Sequence, residues 1–244
     1  MNTPKAPAVW LSEQAVRDLV NSARKAKASL VALVAGIDEK VAKRRATINQ
    51  SLGDLDVKDR LRAVDASVSK LKADEKLATN AQRTEILRSI ARMNETAKGA
   101  VQFYDHAVHM VLRDTIASEK RHVIFQNLEA AGPVELKAFG SLAVASKDKD
   151  MAAAVIGRLH ALPSSARPVS PRLIADELVG ALQREMFGAL LEVDSILQAA
   201  VLVNRMFEQE RSGTNGIATV EAALKARRIA EVGGKRVEDD GDDH

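Results

Sequence analysis

Apolar residues in the first half of the chain keep a 3.5-residue beat. Val16, Leu19, Ala23, Ala26, Leu30, Leu33 and Ile37 alternate steps of three and four. The spacing returns at Val57, Leu61, Val64, Val68 and Leu71, and again at Ile90, Ala97, Val101, Tyr104, Val108 and Val111. Such a period puts one narrow apolar stripe on each helix, so that long helices bury it by lying side by side. The pattern predicts an all-α chain, with long helices in a coiled-coil-like antiparallel bundle followed by a smaller helical region.

Punctuation sets the expected boundaries. Residues 1–10 read as a flexible arm. Ser12 caps a helix running to about Leu52, where Gly53-Asp54 stops it, and Asp54 or Asp56 caps a second helix ending near Ala78. Thr79-Asn80 is a weak break, after which a third helix continues to about Ala131, ahead of Gly132-Pro133. The coiled-coil region is thus 11–131. Two short helices, 134–146 and 148–162, fill the region 132–162. Pro163, Pro168 and Pro171 make 163–171 a linker. Ser170 and Pro171 open a long helix to about Arg211, and a last helix covers about 217–232. These two form a C-terminal helical region, 172–232. The acids Glu238, Asp239, Asp240, Asp242 and Asp243 mark 233–244 as a disordered acidic tail.

Composition sharpens this picture. The chain is 46% hydrophobic but only 3% aromatic, with 13 Gly and 6 Pro, which suits closely packed helices with few breakers. There is no cysteine, so disulfides, thiolate metal sites and cysteine nucleophiles are excluded. The net charge of +3 arises from 36 basic and 33 acidic residues, a mixed surface rather than a nucleic-acid footprint. No signal peptide and no standard membrane span is read from the pattern, so a cytoplasmic location, or one within a virion, is expected.

Candidate chemistry is sparse. His106 and His109 share a helix face beside Asp105, and Glu119 with His122 makes one Glu-x-x-His step. A carboxylate-bridged metal pair needs that step on two helices. Gly233-Gly234-Lys235 lacks the earlier glycine and the hydroxyl of a phosphate loop. No catalytic, cofactor or metal residue is assigned, and the chain is read as non-enzymatic. The basic clusters Arg24-Lys25-Lys27, Lys43-Arg44-Arg45 and Arg227-Arg228 remain, of which Lys43, Arg44 and Arg45 are possible nucleic-acid contacts.

The segment from Met186 to Phe207 is the most apolar in the chain, and its apolar residues wrap most of a helix. Glu192 and Asp194 make its insertion into a bilayer costly. The interaction residues expected are Leu30, Leu33 and Ile37 on the first seam, and Phe187, Leu191, Ile196 and Phe207 here. The sequence thus points to a structural or assembly protein acting by helix packing, a homo-oligomer or part of a larger protein assembly, such as a phage virion or scaffold-like component. The alternatives are a nucleic-acid-associated helical protein and a membrane-acting one that exposes residues 186–207.

Overall fold

The structure is a computed structural model and describes residues 8–54 and 56–209. The described residues contain no strand; they form helices α1 (Glu13–Ser51), α2 (Val57–Val101), α3 (Ala107–Asp114), α4 (Glu119–Asn127), α5 (Pro133–Ser146), α6 (Lys149–Ala161) and α7 (Pro171–Glu208), with a 3₁₀ turn at Ser164–Ala166. The chain is all-α, as the periodicity predicts. Most of the arm at 1–7, the helix at 217–232 and the acidic tail lie outside the described residues.

Two compact units divide the chain. The first takes residues up to Arg17 and Thr96–Leu191; the second takes Asp18–Glu95 and the chain from Glu192 onward.

In the second unit α1 and α2 form an antiparallel hairpin. Lys40 pairs with Glu75, Arg44 donates to Ser67, and Arg45 reaches Asp65, so rising numbers on α1 meet falling numbers on α2. Between them, Ile48 packs on Val64 and Val68, flanked by Val41 and Leu52. Ala23, Leu30 and Ile37, seven residues apart, are fully buried. Between them both flanking positions, Ala26 with Lys27 and Leu33 with Val34, are half-buried. The stripe is therefore wider than the single expected seam, because α7 also supplies a buried face here, with Val193, Ile196, Ala199, Ala200 and Val203.

Two expectations about α2 are corrected. Val57 and Leu61 lie exposed rather than in a seam, because α1 ends at Ser51 and leaves the first turns of α2 without a partner helix. Thr79-Asn80 does not break the helix either. The Thr79 hydroxyl donates back to the Glu75 carbonyl at 2.7 Å, so it is satisfied within the turn, and α2 runs on to Val101.

The expected third helix to Ala131 is likewise replaced. In the first unit the chain leaves helix at residues 102–106, which contain neither Gly nor Pro. Side chains from elsewhere satisfy the freed carbonyls. Gln183 donates to Tyr104 at 2.5 Å and Asp105 at 3.1 Å, and Arg113 donates to Phe103 at 3.1 Å. A second interruption follows α3, where Ser118 caps α4 by accepting from the Arg121 amide.

The short helices gather around α6, which packs against α3, α4 and α5. Its run Ala152–Ile156 is wholly buried. Asp148 caps it, accepting from the Asp150 and Met151 amides at 3.1 Å each. Lys147 just before it takes the left-handed conformation, φ 54°, that ends α5. The linker, which ends at Ser170 because Pro171 already belongs to α7, is a 3₁₀ turn followed by a bend at Pro168-Val169. Pro171 then begins α7 with its ring buried, its missing N–H costing nothing at a first helical position.

Candidate functional site

Lys43, Arg44, Arg45 and Arg24 each have a partner, while Arg227-Arg228 lie outside the described residues. Lys43 pairs with Glu39 at 2.7 Å one turn back, which holds the Glu39 carboxyl below its usual range. Arg44 donates to the Ser67 hydroxyl, and Arg45 stands 3.8 Å from Asp65. In the other cluster, Arg24 makes a two-pronged bond to Glu192 at 2.9 and 2.7 Å, which raises the Arg24 pKa. Acids beside these two clusters offset much of the field a phosphate backbone would need.

The histidines do not converge on one point. His106 and His109 meet ring edge to face at 5.4 Å, and His109 Nδ1 lies 3.1 Å from Asp105 Oδ1. His122 bonds to Gln126 instead of completing a site with Glu119. No trio of His, Asp or Glu able to hold a metal occurs among the described residues.

The first unit carries a pocket of about 510 Å³ lined by Trp10, Ser12, Glu13, Gln14, Arg17, Tyr104, Arg113 and Asp114. Residues preceding α1 build one wall: the Val9 amide donates to Gly99, and the buried Tyr104 hydroxyl donates to the Leu11 carbonyl at 2.5 Å. Burial pushes the Tyr104 phenol up in pKa. The Arg113 guanidinium lies 5.6 Å from the Trp10 ring centre and 5.1 Å from that of Tyr104. Its terminal nitrogens are taken by Phe103 and Asp114, while its buried Nε has no partner. Positive Arg17 and Arg113 face negative Glu13 and Asp114, so the pocket has acid–base balance and no nucleophile paired with a base.

A different polar cluster, in the second unit, is one that periodicity alone misses. Arg83 occupies a seam position of α2 and is only 2% exposed. Its Nε donates to Thr79 at 3.2 Å, one terminal nitrogen reaches the Lys76 carbonyl at 3.0 Å, and the other meets Asn204 at 2.5 Å and Glu208. The Phe207 ring lies 4.8 Å beneath the guanidinium. Higher on the same contact, buried Asn94 donates to Asp194 at 3.1 Å, and Gln198 donates to the second carboxylate oxygen of Asp194. The available signal was the interruption itself: Thr79, Arg83 and Asn94 keep the apolar beat with Ile90 and Ala97 but are polar.

The expected interaction residues fall in different places. Leu30, Ile37 and Ile196 are buried inside the second unit, while Leu33 is half-buried there. Phe207 is half-buried under Arg83 in that unit, and Phe187 and Leu191 are half-buried in the first. Sequence reasoning passed over the outer face of α5. Val134 is 82% exposed, Leu142 52% and Phe139 38%, with the small residues Ala138 and Ala145 between and beyond them also exposed. The helix buries Leu136, Gly140 and Ala143 on its inner side, so it is apolar on both faces. Finally, α7 is long and apolar enough to cross a membrane, with an 18-residue window of mean hydropathy 1.7 that is 39% buried. Compared with protein-family models, curated proteins and solved structures, the chain matches none of them.

Proposed function

We propose that this chain is a non-enzymatic structural or assembly protein that works by packing helices, forming a homo-oligomer or a component of a larger protein assembly of the virion or scaffold kind. The observation that carries the reading is the outer face of α5. Leu142 and Val134 stand mostly in solvent on a helix whose other side already fills the first unit. Large exposed apolar side chains in a contiguous stripe favour association. Ala138 between them lets a second helix approach closely. The seam at Leu30 and Ile37 supports the reading differently: it is already buried within the second unit, which leaves the α5 stripe as the face open to a partner. A second copy of the chain is the simplest occupant of the α5 stripe. Solution mass measured by light scattering over a hundredfold concentration range tests this. A mass that rises with concentration, and falls to that of one chain in Val134→Ser/Leu142→Ser, is the expected result. A single-chain mass throughout would overturn it.

The membrane-acting reading has its own support in the apolar window of α7. Against it, Glu192 is held by Arg24 and Asp194 by Asn94, which keeps that stretch of helix tied into protein. Leakage of dye from anionic vesicles at neutral pH would favour it over assembly.

A further inference from the structure

We propose that Arg83 and Asn94 are register-setting residues, which select one antiparallel alignment of α2 against the distal part of α7. The seam around them is made of small and aliphatic residues: Ile90 on α2, and Val193, Ile196, Ala199, Ala200 and Val203 on α7. Side chains so alike fit almost equally well after a slip of one heptad, because the apolar stripe repeats itself. The polar residues do not repeat. Asn94 meets Asp194, and eleven positions earlier on α2 Arg83 meets Asn204 and Glu208. Lys76 completes the series by donating to the carbonyl of Glu208 at 3.1 Å, at the negative end of the helix. Falling numbers on α2 thus match rising numbers on α7 at three points.

A seven-residue slip toward the start of α7 would put Arg83 against Leu197 and Val201. A buried cation would then face hydrocarbon, with nothing to accept its fork of donors. The aligned state costs no such penalty, since every nitrogen of Arg83 has an acceptor. Buried polar groups of this kind contribute little net stability against well-packed apolar replacements, and their best-attested use is to fix alignment. Asn94 shows the same bias: its Oδ1 is buried with no partner, a local loss that an apolar residue would avoid.

The chain has no cysteine, so labels can be placed at will. Leu77→Cys on α2 and Val201→Cys on α7 lie in the second unit, 80% and 48% exposed, and carry spin labels for a pulsed-EPR distance measurement. In the otherwise unchanged chain one narrow distance is expected. With Arg83→Met/Asn94→Leu added, helix content and melting temperature should hold or rise. A second distance should appear, as a slip of about 10 Å along the axis would give at ~1.5 Å per residue. Arg83→Lys, which keeps the cation, should retain the single distance. One unchanged distance in the apolar variant, a split distance in Arg83→Lys, or loss of helix in the apolar variant would each overturn the proposal, the last by assigning these residues to stability instead.

Discussion

Gln183 donates its side-chain amide to the backbone carbonyl of Tyr104 at 2.5 Å, at the place where α2 gives way to α3. The same nitrogen reaches Asp105. A residue 79 positions away in sequence therefore serves the carbonyls of the interruption that follows α2. Gln183→Leu keeps the bulk and removes both bonds. It is expected to cost about 1–2 kcal/mol in a urea titration, as carbonyls freed at a helix end lose their donor. An unchanged midpoint would mean that water serves these carbonyls equally well.

This relationship marks the boundary of what the sequence could disclose. Helix content, the starts of α1, α5 and α7, and the buried line Ala23, Leu30, Ile37 were legible, because caps, prolines and apolar spacing act locally. The end of α2 was not, because the carbonyls of the interruption after it are served by Gln183 and Arg113, side chains brought in by tertiary structure. Thr79-Asn80 misled for the converse reason: residues of modest helix propensity stay helical when the seam beside them is packed. The Arg83 cluster showed in the sequence only as an interruption of the beat, and its partners on α7 lie 121 and 125 positions away. The Trp10–Arg113 pocket had no linear signature at all.

Leu30 is fully buried in the second unit. Leu30→Asp would strand a charge there without a partner and is expected to destabilise by more than about 3 kcal/mol. Thermal melting followed by circular dichroism measures this, and a melt matching the parent would remove Leu30 from the core.

Gly36 and Gly188 lie inside α1 and α7 with open space where a side chain would begin. Replacing each with Ala lowers the backbone freedom of the unfolded chain and adds no clash. Each change should raise stability by about 0.5–1 kcal/mol. Gly140 makes the contrast, since a methyl there would come within 2.9 Å of Ile174 Cδ1. Gly140→Ala should therefore gain less than either. Equal gains at all three positions would contradict the close packing of α5 on α7.

Asp148 caps α6 and accepts from Lys120 at 2.7 Å; chiefly for that reason its carboxyl titrates below the ordinary 3.8. A depressed value means that the folded state holds its proton less tightly than the unfolded chain. The contribution is therefore present above the unfolded value and lost as pH falls through the folded one. Asp148→Asn retains a capping oxygen without the charge. The gap in melting temperature between parent and Asp148→Asn should be full at neutrality and should close as the pH falls through and below the ordinary 3.8. Asp148→Ala should cost about 1–2 kcal/mol near neutrality, since the cap itself is gone. A gap that widens on acidification would reverse the assignment.

The bond between Arg24 and Glu192 joins residues 168 positions apart, and it sets an order of events during synthesis. Residues 18–95 supply both helices of the hairpin, but the face they offer to α7 has no occupant until residue 192 and those beyond it arrive. At ribosomal rates of about 5–20 residues per second, the intervening hundred or so residues take roughly 5–20 s. For that interval the nascent hairpin carries Leu30 and Ile37 on an incompletely covered surface, and Arg83 has neither Asn204 nor Glu208 to accept its protons. The stretch between belongs with residues up to Arg17 to the first unit, whose short helices pack around α6. Completion of the second unit is thus a late, long-loop event, slow in the way that distant contacts are slow. A ribosome stalled before α7 would hold a chain ready to pair with the wrong neighbour.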